Sequence, residues 1–161
     1  MNIDFFQDVE TIILKDKLGR FLGVDDDFVY TFQDVVKLSG HSCPTVAGAY
    51  LMTIKALKEL YKDELPVRGE IRVELRDSKS SGTTGVLANV ASFITGAKEE
   101  DGFKGLQGQY FRNNLLKYEA PIKGDMRFTR VDNQEKVEVL YDLSNISLSG
   151  FDGSLMQKGL Q

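Results

Sequence analysis

Val67-Arg68-Gly69-Glu70-Ile71-Arg72-Val73-Glu74-Leu75-Arg76 alternates apolar Ile71, Val73 and Leu75 with charged Glu70, Arg72, Glu74 and Arg76. Strand side chains point to opposite faces in turn, so this period of two predicts a half-exposed strand over 67–76. On either side the apolar period lengthens. Upstream, Val46, Ala47, Ala49, Tyr50 and Leu51 are apolar nearly all round, while Ile54, Leu57, Leu60 and Tyr61 oppose Lys55, Lys58, Glu59 and Lys62. That pattern predicts a helix over 44–62, buried at its start and surfacing toward its end. Downstream, Val86, Leu87, Val90, Phe93 and Ile94 predict a second helix over 84–95, with Gly96 as its stop. Strand-like runs follow at Leu106–Phe111, Gly124–Val131 and Lys136–Leu143, the last two joined in a hairpin around Asp132-Asn133-Gln134. The order helix, strand, helix and then three strands predicts an α+β fold with helices on one face of the sheet.

The flanks are read in the same way. Leu14, Leu18, Phe21 and Leu22 share one helical face and Gly23 is placed to end it, so residues 1–30 are expected to form an arm packed on the core. Asp25-Asp26-Asp27 reads as a solvated loop. Thr31 and Asp34 form a capping pair for a short helix carrying Val35, Val36 and Leu38, which Gly40 ends. The Gly-, Ser- and Gln-containing tail over 149–161 is expected to fray. With 161 residues and 42% apolar content, the chain suits a single domain with a sizeable core. Its formal charge of −4 and scattered basic residues argue against nucleic acid and an anionic membrane as partners. No leader-like segment opens the chain, and the densest apolar run, 45–52, is too short to span a bilayer. A cytoplasmic protein is expected, and one cysteine permits no intrachain disulfide.

Gly40-His41-Ser42-Cys43-Pro44 carries the chemistry, because it places the only histidine and the only cysteine two residues apart at a helix start. Pro44 suits the first helical position, which puts Cys43 near the N-cap, where free N–H groups and the helix dipole favour a thiolate. Imidazole and thiolate suit zinc or another divalent transition metal, and the same thiolate suits a nucleophile. A closed tetrahedral site needs further donors, and the chain has no other His or Cys. Gly48 inside the helix implies close approach by another backbone or by a ligand, and simple packing explains it equally well. The loop Asp77 to Gly85 is small and polar but lacks the Walker pattern. Asn89 and Ser92 mark either a buried polar contact or a solvent stripe.

The run Gly40-His41-Ser42-Cys43-Pro44-Thr45-Val46-Ala47-Gly48-Ala49-Tyr50 resembles the signature of the FmdE family, named for formylmethanofuran dehydrogenase. Thr95-Gly96-Ala97-Lys98 and Gly102-Phe103-Lys104-Gly105 stand where that family has a Thr-Gly-Cys-Thr segment and a glycine-rich stretch. The resemblance extends over roughly 31–116, within a core of 31–143. It implies a mixed sheet like that of the glyceraldehyde-3-phosphate dehydrogenase catalytic domain. It further implies zinc held by His41 and Cys43; separately from the resemblance, Asp77 or a water is expected to complete the sphere. Ala97, Asn89 and Ser92 depart from the family's Cys, Asp and Gln, so half of the expected donor set is changed.

Three functions follow as expectations. The first is a metal-binding protein with His41 and Cys43 as ligands, acting on or holding a small molecule. The second is a metal-free enzyme with Cys43 as nucleophile and His41 as base. The third is a noncatalytic binding module. A homodimer is expected in each case.

Overall fold

The computed structural model of the chain describes residues 8–142. The fold is α+β, built from a four-stranded mixed sheet and a separate antiparallel pair of strands. In chain order the elements are β1 (Ile12–Lys15), α1 (Lys17–Phe21), β2 (Asp27–Tyr30), α2 (Phe32–Ser39), α3 (Pro44–Tyr61) and β3 (Ile71–Leu75). They continue as α4 (Thr84–Thr95), β4 (Leu116–Lys117), β5 (Met126–Arg130) and β6 (Lys136–Val139). The sheet order is β4-β3-β5-β6, with β4 parallel to β3 and the other neighbours antiparallel.

β3 is central because its alternation gives it two different faces. Ile71, Val73 and Leu75 are buried with Met126 and Phe128 of β5 in a core shared with α3 and α4. On the other face Arg127 Nε donates to Glu74 Oε2 at 2.7 Å, and this bond holds the Glu74 carboxyl below its ordinary range. Both helices run antiparallel to β3. Their C-terminal ends meet the start of the strand, where Gly69 N donates to Thr95 O at 2.8 Å and Arg130 Nη1 donates to Leu60 O at 3.3 Å. Their N-termini therefore share the opposite edge with the end of β3. Mid-core, Tyr50 donates its hydroxyl to Glu10 O at 2.5 Å and ties the segment before β1 to α3. Burial pushes that hydroxyl up to about 12, which keeps it a donor. No helix among the described residues is long and apolar enough to cross a membrane.

Two expectations are corrected. Residues 12–15 are a strand, with Ile12 and Leu14 buried and Ile13 exposed, and only Lys17–Phe21 is helical. Leu14 fits either period, but Asp16 separates them by accepting from Gly19 N and starting α1 there. Leu106–Phe111 is a turn closed by an isolated Leu106–Gln109 bridge, and the strand beside β3 lies instead at Leu116–Lys117. Asp25 and Asp26 lie exposed in the turn as expected, while Asp27 opens β2. The expected tail over 149–161 lies outside the described residues.

α2 begins with a complete capping box, Thr31 Oγ1 accepting from Asp34 N and Asp34 Oδ2 accepting from Thr31 N. Thr31→Ala is expected to destabilise the protein by about 1 kcal/mol, and Thr31→Ser by far less. Urea unfolding of both variants checks this; equal losses would show that the hydroxyl is not the stabilising group.

Candidate metal centre

α2 ends at Gly40 with φ 75°, a left-handed conformation that a residue without Cβ adopts freely. Cys43 is extended (φ −142°, ψ 167°), as the residue before a proline prefers, and Pro44 is the first helical residue. The thiol is therefore placed at the N-cap of an 18-residue helix. It is a free, half-buried cysteine, and no side chain caps the helix there. The first-turn N–H groups, which have no intrahelical partners, and the dipole make this end electropositive.

His41 is exposed, and its Nδ1 lies 2.9 Å from Ser39 O. A carbonyl oxygen only accepts, so Nδ1 carries a proton in this contact, and Nε2 is the nitrogen left to present a lone pair whenever the ring coordinates.

Tyr141 completes the neighbourhood and was not among the expected residues. Its hydroxyl donates to Pro44 O at 2.8 Å, and its ring lies over Gly48, where a Cβ would come within 2.5 Å of the ring. What approaches Gly48 is thus a side-chain ring, so of the expected alternatives simple packing holds and neither another backbone nor a ligand is needed. Burial first, and the nearby Cys43 second, push the Tyr141 hydroxyl above its ordinary range. Tyr141 N donates to Asp125 Oδ2 at 2.8 Å, and Asp125 Oδ1 accepts from Arg76 Nη2 at 2.9 Å. Arg76 Nε in turn donates to Asp77 Oδ1 at 3.3 Å. A continuous polar chain thus links the start of α3 to the end of β3.

Asp77 belongs to the same end of the sheet, but its carboxylate is held by Arg76. Among the described residues no group of three or more His, Cys, Asp or Glu side chains is placed to hold a metal ion. His41, Cys43 and Asp77 therefore do not form a three-ligand set as they stand. No family model, curated protein or solved structure matches this chain. Ser92 is buried with Oγ donating to Ala97 O at 2.6 Å, whereas Asn89 is exposed. The alternatives of buried contact and solvent stripe thus divide between the two residues.

Proposed function

We propose that the chain is a metal-binding protein of the FmdE type, with a divalent transition metal, zinc foremost, held by His41 and Cys43. The observation that carries this reading is the His41 ring. With Nδ1 tied to Ser39 O, Nε2 is the free donor, which is how metal-ligating imidazoles are oriented. Cys43 adds a soft sulfur donor at an uncapped helix N-terminus. Two protein donors leave positions for water or a small-molecule ligand, and for donors supplied by a second copy of the chain. A symmetric dimer that brought two His41 and two Cys43 together would complete a tetrahedral set. Asp77 joins only by leaving Arg76. An ion held there would supply Lewis acidity toward water or a carbonyl group.

Elemental analysis of the untagged protein beside His41→Ala and Cys43→Ala tests the proposal. Near-stoichiometric metal in the parent, lost in both variants, is expected. Binding should weaken as pH falls, because coordination needs neutral imidazole and thiolate. Unchanged metal content in Cys43→Ala would overturn it. Cys43 at the uncapped helix start also favours a second reading, a thiol nucleophile with first-turn N–H groups near the reacting centre. Metal-free protein whose Cys43 alkylates faster than free cysteine at neutral pH would select that reading.

A further inference from the structure

At the end of the sheet away from Cys43, Arg68 and Arg112 share the single carboxylate of Asp16. Asp16 Oδ1 accepts from Arg112 Nη2 at 2.6 Å and from Gly19 N at 2.9 Å, while Oδ2 accepts from Arg68 Nη1 at 3.3 Å. Arg68 Nη2 donates to Phe93 O at 3.0 Å. Two buried donors, Arg68 Nε and Arg112 Nη1, have no acceptor among the described residues. The Arg112 side chain is only 8% exposed, so an acceptor reaches these nitrogens only when the guanidinium groups shift into the cleft they line. Two guanidinium groups against one carboxylate also leave a surplus positive charge. The pair lines a cleft of about 560 Å³ and also a smaller one of about 310 Å³. Leu18, Tyr110, Phe111 and Leu115 give the larger cleft an apolar wall. Glu70 and Asp132 also line it; Glu70 is held by Lys17 at 2.6 Å, and Asp132 shares Arg130 at 2.7 Å with the more exposed Glu64 at 3.2 Å.

We infer that this cleft binds a small organic monoanion, a carboxylate carried on an apolar or aromatic body. The surplus charge at its floor equals one, and the forked donors of a guanidinium match the two oxygens of a carboxylate. The apolar wall removes the body of such a ligand from water. A surplus of one charge offsets a monoanion but not a dianion, and the apolar wall gives inorganic phosphate nothing to pack, so phosphate is a poor occupant. The cleft contains neither His41 nor Cys43, and its occupancy is independent of the metal proposal.

The test is a titration of the full chain, isotope-labelled at arginine, with benzoate, inorganic phosphate and benzyl alcohol at low salt. Benzoate is expected to move the Arg68 Nε–H resonance saturably, and to bind about tenfold more tightly than phosphate or benzyl alcohol. Arg68→Gln should weaken benzoate about tenfold, the loss of one charge-assisted hydrogen bond. Phe111→Ala, at an exposed wall position, should weaken it about threefold without changing the unfolding midpoint. If Arg68→Gln fails to fold, the direct resonance and Phe111→Ala decide. A linear, unsaturable response to benzoate overturns the inference, as does phosphate or benzyl alcohol binding equally well.

Discussion

Replacing Asp16 by alanine is expected to destabilise the fold by about 3–5 kcal/mol, read as a lower urea midpoint at unchanged slope. Asp16 is buried and stands between two guanidinium groups, so its loss leaves like charges facing each other with no counter-ion. It also caps α1, which adds to the cost. Burial pushes the Asp16 carboxyl up, but the Gly19 N–H and the charges of Arg112 and Arg68 together outweigh it and leave the group below its ordinary range. A carboxylate depressed in the folded state contributes stability above its unfolded value of about 3.9, and that contribution disappears as pH falls through the lower folded value. Unfolding midpoints measured from neutral pH down through this acid window should converge between parent and Asp16→Asn. A constant gap between them throughout the window would show that the Asp16 charge does not stabilise the fold.

Gly69→Ala is expected to cost about 3 kcal/mol, combining left-handed strain with the disruption of a buried ion pair. Gly69 has φ +87°, and a Cβ there would overlap Arg112 Nη1 and come within 2.5 Å of its Cζ. The guanidinium lies against the glycine and cannot remain there beside a methyl group. Evicting it breaks the 2.6 Å bond to Asp16. Both substitutions act on one pair, so the double variant should lose clearly less than the sum of the two losses. Strict additivity in a double-mutant cycle would mean that Gly69 does not act through Arg112.

These sensitivities lie where sequence patterns are least informative. Alternation at Ile71, Val73 and Leu75 and helical spacing in α3 and α4 identify those elements, because each has one buried face and repeats for long enough to reveal its period. β4 is two residues long and has no period to read. Leu106, Tyr110 and Phe111 have strand-forming side chains, yet Gln107 and Tyr110 take φ of 50° and 63° and turn the chain back. The His41-Cys43 pair is visible because its members are neighbours in sequence. Tyr141 is signalled only indirectly, by the helix glycine under its ring. The Asp16, Arg68 and Arg112 cluster leaves no local mark, since its partners are separated by 52 and 96 positions.

Such separations also govern how the chain acquires its structure. β3, in the interior of the sheet, has neighbours only at 116–117 and 126–130, so a chain growing from its N-terminus exposes this strand long before either partner emerges. Asp16 waits still longer in sequence terms for Arg112. Loop closure over such spans precedes the contacts that reward it, which slows folding relative to a bundle of local helices. Arg72 and Glu74, alternating with the apolar residues of the waiting strand, place charge on the segment most at risk of pairing with another unfinished chain.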